Sequence, residues 1–163
     1  MNEQIVLNPI GYIRSPFKVG DAMPVQSIEG RDVRGYLELL PEYKEGLKDL
    51  EGFSHIILIF HLHLNEKVKM QTRPFMDNEY RGIFATRSPS RPNHLGMSVV
   101  RVERVEDNRV YIRDLDMIDG TPLLDIKPYV KMINDADEIR MGWFEKHKER
   151  KHKTWHKGTK GKA

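Results

Sequence analysis

The chain contains no cysteine, which excludes disulfide bonds and thiolate metal sites. It also lacks a long apolar run: the longest, Ile56 to Phe60, has five residues, whereas a helix that crosses a bilayer needs roughly 20. The opening residues, Met1 to Gln4, have neither the basic start nor the apolar segment of a secretory signal. These absences predict a cytoplasmic protein without a membrane partner.

Sequence signals for two common kinds of ligand, dinucleotides and metal ions, are missing as well. No glycine-rich G-x-G-x-x-G turn follows a predicted strand, so dinucleotide binding of the common kind has no support. Four aspartates, at positions 114, 116, 119 and 125, alternate with apolar residues, and carboxylates suit magnesium or calcium. Their spacing fits no calcium loop, however, and we expect no metal.

The charge is distributed unevenly along the 163 residues. Residues 146–163 contain eight lysines and arginines and one acid, a net charge of +7, so residues 1–145 carry −4 of the chain's overall +3. We call residues 146–163 the basic tail. Lysine and arginine contacts to phosphates supply most sequence-independent affinity for nucleic acid, and Trp155 could stack on a base. The tail is therefore either a nucleic-acid arm or a solvated terminus.

The hydrophobic pattern predicts about seven strands and few helices. The predicted strands are 10–15, 34–40, 53–63, 81–86, 98–106, 110–116 and 123–127, with a hairpin turn at Asp107-Asn108. Residues 56–59 are expected to be buried on both faces. Beyond them, His61 and His63 are expected on one strand face, and Phe60, Leu62 and Leu64 on the other.

The helical pattern is limited to two segments. Residues 42–50 fit one or two turns after Pro41, and residues 135–148 fit a terminal helix whose apolar stripe is Ile139, Trp143 and Phe144. Because strands and helices do not alternate, a parallel sheet is disfavoured. The prediction is a mainly β fold, a compact antiparallel β-barrel with short helices and a C-terminal helix. Its domain spans 1–145, with the basic tail after it.

Residues 84–98 form the densest polar stretch of the chain. Pro89 and Pro92 fix their own φ angles and push the residues before them toward extended conformations, so this loop should be stiff. Arg87 and Arg91 would then be held at nearly fixed positions, where their planar guanidinium groups suit a carboxylate or phosphate. The alternative is a surface turn whose arginines only pair with nearby acids.

A second dense stretch covers residues 114–129. Its Asp119-Gly120-Thr121-Pro122 turn could expose backbone N–H and C=O groups to an amino-acid or ribose moiety. The alternative is a strand pair with solvated acids.

These two stretches, read as residues 82–98 and 116–129, closely resemble the two signatures of the TrmO family, also called TsaA-like or YaeB-like. The segments 10–17 and 52–55 match the family too, and the resemblance extends in order from residue 8 to about 130. It is to the short form, without the extra C-terminal domain of many bacterial members.

The resemblance implies a compact β-barrel, a homodimer and S-adenosylmethionine as methyl donor. It implies methylation of the exocyclic nitrogen of threonylcarbamoyl-adenosine, next to the anticodon of tRNA. The implied cofactor-binding positions are Gln26, Ser27, Ile28, His63, Leu64, Arg91, Ile118, Asp119, Gly120 and Thr121.

Further roles follow as hypotheses from the implied reaction. The acceptor nitrogen must lose a proton, and Asp119 and His63 are the candidate bases. The candidate substrate-binding residues are Arg87, Asn93, Lys127 and Tyr129. For Lys127 and Tyr129 a purely structural role remains open. So do two other functions, a cofactor-binding or RNA-binding barrel without catalysis and a methyltransferase with a different substrate.

Overall fold

The computed structural model describes residues 3–21, 31–131 and 139–147. Its strands are β1 (Gly11–Arg14), β2 (Arg34–Leu39), β3 (His55–His61), β4 (Gln71–Thr72), β5 (Arg81–Gly82), β6 (Leu95–Glu106), β7 (Arg109–Arg113) and β8 (Thr121–Pro128). Six of them close into an antiparallel barrel in the order β1-β2-β7-β6-β3-β8, and β4 pairs with β5 alone. The predicted β-barrel is confirmed.

Strand β3 lies between β6 and β8 and shows how the barrel is filled. Ile56, Leu58 and Phe60 are buried, whereas the alternate residues Ile57 and Ile59 are only partly buried. The prediction that residues 56–59 are buried on both faces is therefore wrong, because one face of β3 lines the barrel and the other is its outer surface. Such alternation is typical of antiparallel strands covered on one side.

The core consists of aliphatic side chains that the strands and the segment after β7 point inward. Those with no exposed surface are Ile13, Leu37, Ile56, Leu58, Val100, Val110, Ile112, Leu115 and Leu123. Each contributes about 1.5–3 kcal/mol of apolar burial. The interior of the barrel is thus a filled core.

Three strand predictions extended two or more residues too far. The strand expected at 110–116 ends at Arg113. Strand β3 ends at His61, so the expected alternation through Leu64 is wrong, and His63 lies in a turn. Strand β5 ends at Gly82 and a 3₁₀ helix, Ile83–Ala85, follows it. This helix forms because the backbone N–H and the hydroxyl of Thr86 both donate to the carbonyl of Ile83.

The helices are short 3₁₀ segments. Pro41–Leu47 and Leu50–Gly52 replace the predicted turns at 42–50, and Pro92–His94 precedes β6. Of the predicted terminal helix at 135–148, residues 135–138 and 148 lie outside the described residues. Residues 139–141 are not helical, and Gly142–His147 is a 3₁₀ helix that begins at a φ of 55°. None of the helices in the described ranges is long and apolar enough to cross a membrane.

The register brings several strand ends together at one end of the barrel. Ile13, near the end of β1, pairs with Thr121, and Phe60, near the end of β3, pairs with Leu123. The β3–β8 register shifts between Ile59 and Phe60, and such irregularities redirect side chains. The polar stretches identified in the sequence emerge here.

The domain limits of 1–145 and 146–163 stay a prediction.

Candidate functional site

A cleft of about 840 Å³ opens where β3 ends and β6 and β8 begin. We call it the loop cleft, because residues 84–92 form one of its walls. Its apolar lining includes Phe60, Leu62, Leu64, Phe84, Leu95, Met97, Met117 and Ile118. Its polar lining includes His63, Asn65, Thr86, Arg87, Arg91, Ser98, Asp116 and Thr121. A concave, mainly apolar site with few polar groups is typical of small-molecule binding.

The floor of the loop cleft depends on one glycine. Phe60 and Met117 are almost completely buried. A β-carbon at Gly96, which pairs with Phe60 across the β3–β6 ladder, would lie 2.2 Å from the Phe60 ring. Glycine at position 96 is therefore what allows the ring to lie against β6 and form the floor.

The wall of the loop cleft is held by its own hydrogen bonds. Arg91 Nη1 donates to the carbonyl of Thr86 at 2.9 Å and approaches that of Ser88 at 3.5 Å. The backbone N–H of Ser88 donates to Thr86 Oγ1 at 3.3 Å, and Lys69 N–H donates to the carbonyl of Ser90 at 2.9 Å. The segment is thus cross-braced in addition to its two prolines, as a stiff loop requires.

Neither arginine of this wall pairs with an acid of the part of the chain that the structure describes. Within the described residues, Arg87 and Arg91 appear in no salt bridge, and the Nε and Nη2 atoms of Arg91 make no hydrogen bond. Two guanidinium groups at an apolar cleft, without carboxylate partners among these residues, favour an anionic ligand over a purely structural pairing. Arg91 is also pre-organised, because two backbone carbonyls hold it.

A carboxylate faces the same cleft and was missed by the assignment of site residues. Ser98, which is buried, donates its hydroxyl to both carboxylate oxygens of Asp116, at 2.8 and 3.1 Å. Ser98 ends the first signature and Asp116 begins the second, so their place in the two matching blocks was the available signal. The loop cleft therefore offers positive and negative groups together.

The residues of the second signature do not all face the loop cleft. Ile118 and Thr121 line the loop cleft, and the Thr121 hydroxyl donates to the carbonyl of Ile118 at 2.6 Å. Asp119 and Gly120, at the tip, do not line it. Gly120 has a φ of 80° and its N–H donates to the carbonyl of Ile13 at 2.8 Å. The turn thus anchors the segment to β1.

Asp119 belongs to a different cleft of about 870 Å³, which Tyr36 and Tyr111 also line and which we call the tyrosine cleft. Its carboxylate accepts a hydrogen bond from Lys18 Nζ at 2.5 Å and another from the backbone N–H of Ser15 at 3.1 Å. The bond to Lys18, chiefly, lowers the pKa of Asp119. A carboxylate so stabilised is a weaker proton acceptor.

The remaining site predictions fall in three places. His63 and Leu64 line the loop cleft, whereas Gln26, Ser27 and Ile28 lie outside the described residues. Asn93 is exposed, does not line the cleft, and adopts a φ of 62°, which asparagine tolerates in tight turns.

The other two predicted substrate residues lie near the end of β8 and just after it, toward the opposite end of its pairing with β3. Lys127 is opposite Ile57 and forms a 2.8 Å ion pair with Asp125. The backbone N–H of Tyr129 donates to the carbonyl of His55 at 3.1 Å. The structure therefore does not bring Lys127 and Tyr129 to the loop cleft. In the described ranges, no three His, Asp or Glu side chains are grouped as a metal site.

Several known proteins are similar to this chain in both sequence and fold. A probable S-adenosyl-L-methionine-binding protein of Pyrococcus abyssi is 49% identical over 142 residues, which cover 87% of this chain and 77% of the relative. The putative S-adenosylmethionine-dependent methyltransferase RcsF of Pseudomonas aeruginosa is 44% identical, with 83% and 62% covered. The tRNA (adenine(37)-N6)-methyltransferase of Mus musculus is 41% identical, with 77% and 31% covered.

The structural comparison agrees. The crystal structure of TrmO from Pseudomonas aeruginosa matches with a TM-score of 0.72 and 40% identity, over 86% of this chain and 63% of that one. The chain thus spans less than two thirds of the Pseudomonas and mouse relatives. The model of the tRNA-methyltransferase O N-terminal domain matches residues 12–135. The family inferred from the four matching blocks is confirmed, and this chain belongs to the tRNA-methyltransferase O family.

Proposed function

We propose that this chain is an S-adenosylmethionine-dependent methyltransferase that modifies tRNA at the exocyclic nitrogen of threonylcarbamoyl-adenosine next to the anticodon. Its family and the names of its relatives support a tRNA methyltransferase that uses this cofactor. A cytoplasmic location, where tRNA is available, belongs to the same proposal. The modified base as the acceptor rests on the family resemblance and on the two arginines of the loop cleft.

The observation that carries the proposal is Arg91, fixed at the wall of the loop cleft without an acidic partner in the described residues. S-adenosylmethionine, when bound, supplies a methyl group on a positively charged sulfur. Its carboxylate suits the free guanidinium nitrogens of Arg91, its cationic groups suit Asp116, and its adenine suits the apolar lining. The residues present therefore fit this cofactor.

The chain's own side chains would then orient the acceptor and take its proton. Holding a nucleophile near its reaction partner can contribute several kcal/mol to catalysis. Of the two predicted bases, His63 lines the loop cleft and Asp119 does not. In the proposal, His63 would accept the proton that the acceptor nitrogen loses on methylation, and Asp119 holds the turn.

Arg87 supplies the second cation of the cleft. It is exposed at the cleft wall and makes no salt bridge within the described part of the chain. Threonylcarbamoyl-adenosine carries a carboxylate on its threonine moiety, so two arginines would serve two carboxylates. We assign Arg91 to the cofactor and Arg87 to the modified base.

The homodimer expected from the resemblance is part of the proposal. Phe84, Met97 and Leu64 line the loop cleft and are 73%, 50% and 52% exposed. Large apolar side chains grouped at a cleft mark an interaction surface. Sedimentation of the purified chain at several concentrations would detect the dimer, and a strictly monomeric chain would refute this part.

A methyl-transfer assay with labelled S-adenosylmethionine tests the function directly. The substrates are tRNA that carries threonylcarbamoyl-adenosine, the same tRNA without the modification, and buffer alone. The proteins are the wild type, Arg91→Ala, Arg87→Ala and a control, Arg34→Ala, whose arginine lines the tyrosine cleft. Calorimetry with the cofactor accompanies each.

We expect label only in the modified tRNA. Arg91→Ala should raise the KM for the cofactor, Arg87→Ala should raise the KM for tRNA, and Arg34→Ala should change neither KM. Label in unmodified tRNA would establish a methyltransferase with a different substrate. Cofactor binding without label in any RNA would refute the enzyme and leave a binding barrel.

A further inference from the structure

Positive charge is concentrated in one part of residues 1–145. Residues 61–94 contain six lysines and arginines against three acids, a net charge of +3. The rest of residues 1–145 contains thirteen against twenty, a net charge of −7. Because residues 61–94 include the wall of the loop cleft, the positive charge lies at the proposed site and the negative charge lies elsewhere.

The acids of residues 61–94 do not neutralise its other cations. Asp77 and Glu79 both pair with Arg81, whose Nη2 lies 2.7 Å from a carboxylate oxygen of each. The third acid, Glu66, forms no salt bridge in the described ranges. Five cations of the segment likewise form none there: Lys67, Lys69, Arg73, Arg87 and Arg91.

Three of these cations lie beside the wall of the loop cleft. Lys67, Lys69 and Arg73 are exposed, and we call them the basic rim. The backbone N–H of Lys69 donates to the carbonyl of Ser90, a wall residue, at 2.9 Å. Strand β4 lies between Lys69 and Arg73 and pairs with β5, which leads into the wall. The backbone of the basic rim is therefore joined to the wall, and its charged groups are available to an anion.

An exposed aromatic ring lies at one end of the basic rim. Thr72 pairs with Arg81 across β4 and β5. Arg73 follows Thr72 and Tyr80 precedes Arg81, so both lie at the same end of this two-stranded sheet. Tyr80 is 71% exposed. Cations next to an exposed aromatic ring are typical of surfaces that bind single-stranded nucleic acid, where the cations contact phosphates and the ring stacks on a base.

We propose that Lys67, Lys69 and Arg73 bind phosphates of the RNA strand whose modified base enters the loop cleft. Tyr80 stacks on another base of the same strand. This inference rests on the proposed function, because tRNA is the substrate there. The loop cleft then selects the base, and the basic rim holds the RNA backbone beside it.

Charge favours RNA over a second copy of this chain as the occupant of the basic rim. A two-fold dimer brings the same surface of both copies together, so rims at its axis would oppose like charges. RNA supplies a negative charge at every phosphate. The exposed apolar residues considered for the homodimer, such as Phe84 and Met97, line the loop cleft and are not rim residues.

The phosphate contacts are tested by the salt dependence of tRNA binding. The rim variant replaces the three rim cations by glutamine. The control variant removes the same charge from three exposed cations outside residues 61–94 that form no salt bridge within the described part of the chain: Arg31, Lys48 and Lys131. Residues 148–163 of the basic tail, including Trp155, lie outside the described residues, and the role of the tail stays a prediction. Both variants keep the tail, so its contribution is the same in each.

We expect only the rim variant to lose RNA affinity. Each phosphate contact contributes about 0.7–0.9 to the slope of log affinity against log salt, so the rim variant should lose about two units of slope and about tenfold or more in affinity. Its KM for tRNA should rise, with kcat and the Kd for S-adenosylmethionine unchanged. The control variant should lose less than about half a unit of slope.

The stacking contact is tested separately, because a ring carries no charge. Tyr80→Leu should weaken tRNA binding about tenfold without changing the salt slope. Tyr80→Phe keeps the ring and should bind within about twofold of the wild type. Tyr43→Leu is the control, since Tyr43 is exposed on the 3₁₀ helix Pro41–Leu47, outside residues 61–94. It should bind tRNA like the wild type.

The outcomes separate this inference from the proposed function. An unchanged slope in the rim variant, or an equal loss in the control variant, would overturn the phosphate contacts. Sedimentation of the rim variant tests the other occupant: a dimer lost together with tRNA affinity would make the basic rim a contact between copies. If tRNA is never methylated but the rim still governs tRNA binding, the proposed reaction fails and the rim inference stands.

Discussion

The two clefts of this protein are nearly equal in size and opposite in electrostatic design. In the tyrosine cleft the cations have acidic partners: Arg14 pairs with Glu38, Lys18 with Asp119, and Arg34 with Glu103. In the loop cleft, Arg87 and Arg91 have none among the described residues. The two clefts are similar in volume but differ in the unpaired cations that they offer to a ligand.

The difference teaches that pairing, more than volume, distinguishes the tyrosine cleft from the proposed binding cleft. In the tyrosine cleft, Arg104 covers the ring of Tyr111 at 3.5 Å, so cations and aromatics satisfy one another. In the loop cleft, backbone carbonyls hold Arg91 in place and leave part of its guanidinium group for a ligand. Backbone bracing orients a cation without neutralising it.

The largest expected effect comes from matched arginine substitutions in the two clefts. Arg91→Ala removes the brace to Thr86 and the proposed contact to the cofactor carboxylate, and bonds to charged groups contribute about 1.5–3 kcal/mol each. We expect the Kd for S-adenosylmethionine to rise about 100-fold, measured by calorimetry. Arg34→Ala, whose partner is Glu103, should leave that Kd within about twofold. Equal effects in both variants would abolish the distinction between the clefts.

The floor of the loop cleft provides the next effect. Gly96→Ala would place its β-carbon against the ring of Phe60, and overpacking of this kind costs about 1–3 kcal/mol. We expect a loss of about 2 kcal/mol in the free energy of unfolding, measured in urea, and weaker cofactor binding. Gly82→Ala is the matched control, because its β-carbon would meet no atom within 4 Å. Wild-type stability in Gly96→Ala would show that the ring moves freely.

The barrel was predictable from the sequence because the patterns that indicate its strands and turns involve neighbouring residues. Alternating apolar residues and the Asp107-Asn108 turn indicated β6 and β7, and the turn is where the structure has it. Strand ends were less predictable. The patterns that predict strands run on through His63 and Thr86, yet the chain turns at both. The backbone N–H groups of these residues donate to the carbonyls of His61 and Ile83 and do not extend the strand hydrogen bonds.

The site was predictable only in part. The stiff loop with Arg87 and Arg91 follows from its prolines, and both arginines do line the cleft. Ser98 and Asp116 are 18 residues apart in the sequence, and their hydrogen bond depends on the closure of the barrel. No local sequence pattern predicts such a contact. Which side of the 118–121 turn faces the cleft depends likewise on where β1 and Phe17 lie.

A smaller effect is expected at Ser98, which lines the loop cleft. Its hydroxyl donates to both oxygens of Asp116, and removal of one such donor costs about 1 kcal/mol. Ser98→Ala should weaken cofactor binding about fivefold and leave the β3–β6 pairing intact. Calorimetry measures the first and thermal unfolding the second. Ser98→Thr restores a hydroxyl and should recover part of the affinity; an alanine variant that binds normally would show that the Ser98 hydrogen bond does not contribute to the proposed site.

The smallest effect concerns Asp119 in the tyrosine cleft. Because its bond to Lys18 lowers its pKa in the folded chain, its stabilisation is fully present above the unfolded pKa of about 3.9 and is lost as the pH falls through the lower folded pKa. Asp119→Asn should therefore destabilise the chain at pH 7 by about 0.5 kcal/mol. The difference should shrink as the pH falls below 4 in urea unfolding.

Lys18→Met should reproduce most of that loss, and the double variant should lose little more than either single one, because both substitutions remove the same pair. Methyl transfer by Asp119→Asn distinguishes the two roles considered for this residue. If the variant keeps its rate, Asp119 only holds the turn to β1. A loss of several hundredfold at unchanged stability would make Asp119 the base instead of His63, and would give the tyrosine cleft a part in the chemistry.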